Sequence, residues 1–267
     1  MINEERIIAT VDPTLYSFIK EENNIWKVDA NGIYYKKLNE SLRTIVKYGA
    51  KKIELYNVCG QRYIGTDLGS GINIRIFGTP GNDLGAFMDG PKLVVKGNAQ
   101  DGCGNTMNEG EIVIHGQAGD LTGHSMRGGK ILVRDDVGYR VGIHMKEYKD
   151  KKPSIVIGGI AQDFLGEYMA GGIILVLGLN LPKGECCKAR FVGTGMHGGV
   201  IYERGQILGV GKGTRIMNTG IRDNRIIKNL VQDYCTNFNL DFDKLMNGRF
   251  FKIVPISKRH YGELYSH

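Results

Sequence analysis

The sequence predicts an all-β fold, a parallel β-helix in which the chain coils and each turn lays its strand on the turn before. Three observations carry this. Six of the nine methionines fall in one register, Met88, Met107, Met126, Met145, Met169 and Met196, the first four spaced 19 residues apart. A glycine stands three positions before each of them, Gly85, Gly104, Gly123, Gly142, Gly166 and Gly193, and another stands three positions after four of them, Gly110, Gly129, Gly172 and Gly199. Short apolar runs recur in step: Leu93-Val94-Val95, Ile112-Val113-Ile114, Ile131-Leu132-Val133, Ile155-Val156-Ile157 and Ile174-Leu175-Val176. A fixed period of this kind means stacked copies of one supersecondary unit.

Each element of the repeat has a physical reason. β-Branched runs bounded by glycine read as strands, and apolar residues on consecutive positions indicate burial on both faces. Nineteen residues is too short for a strand–helix–strand crossover, which needs roughly 30. It suits one coil of a solenoid. The coil bends several times per turn, and glycine is cheapest where a corner demands positive φ. The 39 glycines concentrate in the repeat, which sets them apart from a disordered Gly-rich linker. The methionines read as stacked inward positions filled by an adaptable thioether. A line of sulfur ligands for copper(I) or haem is the alternative.

Residues 1–58 read as an α+β cap. Leu38, Leu42, Ile45 and Val46 recur at helical spacing before Gly49, and Ile53 to Asn57 reads as a strand leading into the first turn. The β-helix is expected over 59–213. A helical tail follows over 214–267, with Asp223 as a cap and an apolar face of Ile226, Ile227, Leu230, Val231, Tyr234 and Phe238. Both flanks suit the covering of exposed apolar ends. The tail could equally pack along the side of the stack or reach a partner. Insertions at 146–153 and 180–189 lengthen two turns and are expected as outside loops, either solvated or partner-binding.

The N-terminus MINEERIIATVDPT is charged and lacks the apolar core of a signal peptide. No run of about 18 apolar residues exists to span a membrane. The five cysteines are odd in number and form no Cys-x-x-Cys, which fits reduced thiols and a cytoplasmic location. Cys186-Cys187 reads as part of the second inserted loop, with a redox or metal pair as the alternative.

Nothing in the chain assembles into a catalytic set. The net charge is +7, but the basic residues are interleaved with acids and show no nucleic-acid motif. The six histidines show no metal-binding spacing, and His124 and His144 fall on neighbouring turns. Gly65 to Gly71 lacks the Gly-Lys-Ser/Thr of a phosphate loop. Gly193-Thr-Gly195-Met-His-Gly198 has dinucleotide-fingerprint spacing, but the repeat itself produces it. Asn82, Asp101, Asp120, Tyr139 and Asp163 precede the corner glycines and read as turn formers, a calcium ladder being the alternative. No catalytic, cofactor-binding or metal-ligating residue is therefore assigned.

Laid out by turn, the chain resembles the GXGXG family. This is the C-terminal β-helix domain of the glutamate synthase large subunit, related in outline to a scaffold chain of formylmethanofuran dehydrogenase. The resemblance rests on Ile76 to Met88, Gly116 to Asp120, Ser125 to Ile131 and Tyr168 to Ile173, within roughly residues 60–205. It implies a right-handed parallel β-helix that itself holds no cofactor and no catalytic residue. It also implies two partner units: a glutaminase of the N-terminal-nucleophile type, and an FMN and iron–sulfur barrel that reduces 2-iminoglutarate to glutamate. The chain begins Met1-Ile2 rather than with a nucleophilic cysteine and has no room for a flavin barrel. It therefore resembles a free-standing version, serving separately encoded catalytic chains. FMN and the iron–sulfur cluster are expected on those partners, and self-association is compatible with the pattern.

Two alternatives remain at this level. One is the equivalent scaffold component of a formylmethanofuran-dehydrogenase-type molybdenum or tungsten enzyme. The other is a stand-alone β-helix enzyme acting on polysaccharides. Against the latter, the residues ending the repeated strands are Lys96, His115, Arg134, Gly158 and Leu177 rather than a set of acids.

Overall fold

The computed structural model describes residues 19–182, 185, 187 and 189–257. The sequence readings at the N-terminus, at Cys186 and at His260 and His267 lie outside these residues. Among the described residues, twelve strands form one sheet. They are β1 (Ile19–Glu22), β2 (Ile25–Asp29), β3 (Lys52–Cys59), β4 (Asn73–Thr79), β5 (Asp89–Val95), β6 (Glu109–Ile114), β7 (Lys130–Val133), β8 (Ser154–Ile157), β9 (Ala170–Val176), β10 (Gly198–Arg204), β11 (Thr214–Asn218) and β12 (Phe250–Pro255). Spatial order follows chain order from β1 to β10, and each pair from β2 to β10 is parallel. Among the described residues, no helix intervenes between β3 and β11. Parallel neighbours in chain order without a crossover helix require a coil, so the fold is the parallel β-helix the repeat predicts.

Register explains the apolar runs. One inward column is Val28, Leu55, Ile76, Val95, Ile114, Val133, Ile157 and Val176. A second, two residues earlier, runs Trp26, Ile53, Ile74, Leu93, Ile112, Ile131, Ile155, Ile174 and Ile201. All are buried in one continuous core. The outward residue between them is charged in the first strands, Lys27, Glu54 and Arg75. It then becomes Val94, Val113, Leu132, Val156 and Leu175. The early strands therefore alternate with period two, as half-buried strands do, whereas the later ones are apolar throughout.

The cover over the later strands is the C-terminal helix α2 (Ile221–Phe238); α1 (Tyr35–Lys47) lies in the N-terminal region. Ile227, Leu230, Val231, Tyr234 and Phe238 pack on Val113, Leu132, Val156, Leu175 and Tyr202. Tyr234 donates to the Arg134 carbonyl at 2.8 Å, and Asp233 pairs with Lys130. A Cβ at Gly158 would collide with the Tyr234 hydroxyl, so a glycine admits the ring. The helix thus lies along the side of the stack, one of the two placements open from sequence. The end is closed by β12, antiparallel to β10, with β11 on its far side. A short helix α3 (Phe242–Met246) connects α2 to β12.

Gly220 is the N-cap of α2, and Asp223 sits at the third helical position rather than at the cap itself. Its carboxylate accepts from the Gly220 N–H at 2.7 Å, the Tyr202 hydroxyl at 2.8 Å and the Lys252 ammonium at 2.8 Å. This one side chain joins α2 to β10 and β12. Asp223→Ala is expected to cost about 2 kcal/mol, because a capping contact is lost and a charged partner is stranded. Urea unfolding followed by circular dichroism measures this.

In the N-terminal cap, Leu38, Leu42 and Ile45 of α1 are buried. β1 and β2 form a hairpin across Asn23 and Asn24, both at positive φ (53° and 62°). Asn-rich two-residue turns of this hand suit the twist of antiparallel strands.

The methionines of the repeat are inward, 0 % exposed from Met88 to Met169 and 3 % at Met196. A Cβ at Gly110 would lie 2.7 Å from the Met88 Cε, and one at Gly172 would lie 3.1 Å from the Met145 Cε. Gly129 meets Met107 and Gly199 meets Met169 in the same way. Each glycine following a methionine is the hole for the methionine of the turn before. Long and short residues in register fill the corner without a void.

Candidate interaction surface

The corner of each turn has one backbone recipe. Three alternate residues take the left-handed conformation, and the middle one is always glycine. The triplets are Tyr63-Gly65-Asp67, Asp83-Gly85-Phe87, Gly102-Gly104-Thr106, Leu121-Gly123-Ser125, Arg140-Gly142-His144, Phe164-Gly166-Tyr168 and Phe191-Gly193-Gly195. Their amides bind both neighbouring turns. The Gly142 N–H donates back to the Thr122 carbonyl at 2.8 Å, whereas those of Arg140 and His144 donate forward to the backbone carbonyls of Asp163 and Glu167, each at 3.1 Å. Each turn from Gly85 to Gly193 is therefore hydrogen-bonded on both sides through its corner as well as through its strand.

The middle position faces inward. A Cβ at Gly104 or Gly142 would lie 2.5 Å from the Cδ1 of Ile131 or Ile174. The outer two positions of each triplet hold mostly non-glycine residues. Left-handed backbone costs an L-residue roughly 1 kcal/mol or more. Elsewhere among the described residues, non-glycine positive φ occurs at Asn23, Asn24, Asn57, Lys149 and Asn239, mostly the residue type that tolerates it. In the triplets it falls on Asp67, Asp83, Thr106 and Ser125, but also on Tyr63, Phe87, Leu121, Arg140, His144, Phe164, Tyr168 and Phe191.

Those side chains stack from turn to turn. Phe164 and Phe191 are parallel with ring centroids 5.0 Å apart, and the Arg140 guanidinium lies 5.4 Å from the Phe164 centroid. The second ridge has His144 on Tyr168 at 5.5 Å, and a Cβ at Gly195 would lie 2.5 Å from that tyrosine ring. The half-buried His124 lies with its ring 6.1 Å from that of His144, on the neighbouring turn. Burial, followed by the charge of His144, pushes the His124 pKa down. Tyr168 and Phe191 are 47 % and 48 % exposed. Sequence reasoning saw the glycine column and missed its neighbours. Aligning the turns on the glycine and reading two positions to either side exposes them.

The acidic ladder is structural in its contacts. Asp101 Oδ1 accepts from the Asp120 N–H at 2.9 Å, Asp120 from Tyr139 at 2.8 Å, and Asp163 from Arg190 at 2.8 Å. Each carboxylate satisfies an amide of the next turn. Among the described residues, no three His, Cys, Asp or Glu side chains converge as a metal site. Burial, then the charges of Asp101 and Asp83, pushes the Cys103 thiol up to about 12; burial, then Glu203, pushes Cys187 to about 11. Such thiols are inert nucleophiles. No helix among the described residues is long and apolar enough to cross a membrane.

The 146–153 insertion folds back on the stack. Tyr148 and Lys151 pair, and Lys151 reaches Glu109 at 2.7 Å and Asp89 at 3.4 Å on earlier turns. A hollow of about 400 Å³ lined by Gly205, Gln206, Ile207, Ile216, Arg249 and Phe251 opens at the C-terminal end.

Taken together, the repeat defines a β-solenoid built on alternating left-handed corners with glycine at their centre. The family model for the GXGXG motif matches residues 51–256, and the chain belongs to that family. It is 52 % identical over 251 residues to an uncharacterized protein of Methanocaldococcus jannaschii, a match covering 90 % of this chain and 95 % of that one.

Proposed function

We propose that this chain is a non-catalytic structural subunit of a glutamate-synthase-like complex. It holds separately encoded glutaminase and FMN-dependent synthase chains in fixed relation, so that ammonia released at one site is captured at the other. The observation that carries the reading is the corner-and-strand double bonding of successive turns, which makes a stiff rod. The GXGXG membership supports it. Captured ammonia demands rigid relative placement of two reaction centres, and a solenoid fixes each turn by its neighbours.

The test is assembly. Mixed with the separately encoded glutaminase and flavin chains of its own host, this protein is expected to elute with both as one species carrying the flavin absorbance. Omitting it should leave the two catalytic chains apart. If they assemble without it, and it elutes alone, the reading fails. Co-elution with molybdopterin-binding chains instead would move the assignment to the formylmethanofuran-dehydrogenase type.

A further inference from the structure

We propose that the double ridge of Arg140, Phe164 and Phe191 with His144 and Tyr168 is the docking face for a partner protein whose contact patch is apolar at its centre and acidic at its rim. This deepens the proposed function and rests on it: the partner is one of the two catalytic chains. Three independent observations carry the assignment.

The first is strain. Five bulky residues on three successive turns sit in a left-handed conformation that, among the described residues outside the corner triplets, falls mostly on asparagine. Glycine at the outer positions, as at Gly102 and Gly195, satisfies the same corner. Strain retained on an exposed surface marks a role outside the fold.

The second is shape and composition. The rings stack on one another rather than lying flat on the protein, so each is locked by its neighbour and little rotamer freedom is left to lose on binding. Exposed aromatics and arginine, held rigid, are the residues that anchor protein interfaces.

The third is charge. Arg140 pairs with Glu167 at 3.3 Å and Arg190 with Asp163 at 2.8 Å. The two guanidinium side chains are 52 % and 72 % exposed, whereas their carboxylates are 12 % and 16 % exposed. The anions lie beneath and the cations point outward. The face that meets a partner is therefore cationic around an aromatic centre, on a chain of net charge +7. Its complement is a carboxylate-rimmed apolar patch.

The test uses the full chain immobilised against each purified catalytic chain, at low and at moderate salt. Phe164→Asn with Phe191→Asn removes the rings but keeps a residue type that tolerates the corner, so the solenoid spectrum by circular dichroism should be retained. Binding to one catalytic chain is expected to weaken by about 30-fold or more, the scale of an interface anchor. Arg190→Gln leaves the rings in place; it should weaken binding by a smaller factor and flatten its salt dependence. Wild-type affinity in the folded double variant would overturn the proposal while leaving the complex intact. So would loss of self-association, rather than of partner binding, in that variant. Failure of the wild-type chain to bind either catalytic chain would overturn this proposal together with the function it rests on.

Discussion

Gly104→Val is expected to lower the thermal midpoint by about 10 °C, while Thr106→Gly, two residues away in the same triplet, leaves it close to that of wild type. Gly104 sits at φ 68°, where a β-branched residue is disfavoured most. Its Cβ would also lie 2.5 Å from the Cδ1 of Ile131 and 3.4 Å from Cγ1. Ile131 is 0 % exposed and has neighbours on both sides in its column, so it cannot move aside. Strain and overpacking together amount to about 4 kcal/mol. In a chain of this length that corresponds to roughly 2–4 °C per kcal/mol. Thr106 is also left-handed, at φ 54°, but it is only half-buried and points outward. Glycine there relieves strain, and the extra freedom of the unfolded chain offsets the gain. Differential scanning calorimetry of the two variants measures the contrast. Equal losses at both positions would mean that the corner does not distinguish an inner from an outer column.

The second large effect is pH-dependent. Glu203 continues the inward column that runs Val133, Ile157, Val176, and is 3 % exposed. Burial pushes its carboxyl up to about 7, while a hydrogen bond from the Cys187 thiol works against that shift. The folded state therefore keeps the proton to higher pH than the unfolded chain does. This stabilising contribution is fully present below about pH 4.5 and is lost as pH rises to about 7; above that the protein carries a buried charge. The span is worth about 3 kcal/mol. Urea midpoints of the wild-type protein should fall between pH 5 and pH 8, and those of Glu203→Gln should stay nearly flat across the same range. A wild-type profile that is flat, or that rises with pH, would contradict the burial of this group.

Much of the fold was legible because the signals are redundant. Methionine, corner glycine and apolar run share one register, and the holes at Gly110 and Gly172 show that they are parts of one packing unit. The apolar runs also announced burial on both faces. They could not say what covers the outer face, because the spacing of Val113, Leu132 and Val156 is the same whether a second sheet, a helix or a partner lies there. Glu203 was invisible for a related reason: in Val200 to Arg204 it reads as the polar end of a strand, and only register with Val176 places it inside. The ridges were missed because propensity argues against them. Tyr168 and Phe191 are poor candidates for left-handed backbone, so a reading that expects glycine or asparagine at such corners passes over them. The helix start was placed three residues late, since Asp223 acts from within the first turn while Gly220 provides the cap.

The scaffold role stands or falls on coupling. With both catalytic chains and glutamine supplied, the decisive measurement is the share of released ammonia that ends as new glutamate rather than free in solution. With this chain present nearly all of it should be captured, and without it most should escape while the two separate activities persist. Equal capture with and without the chain would contradict the scaffold role.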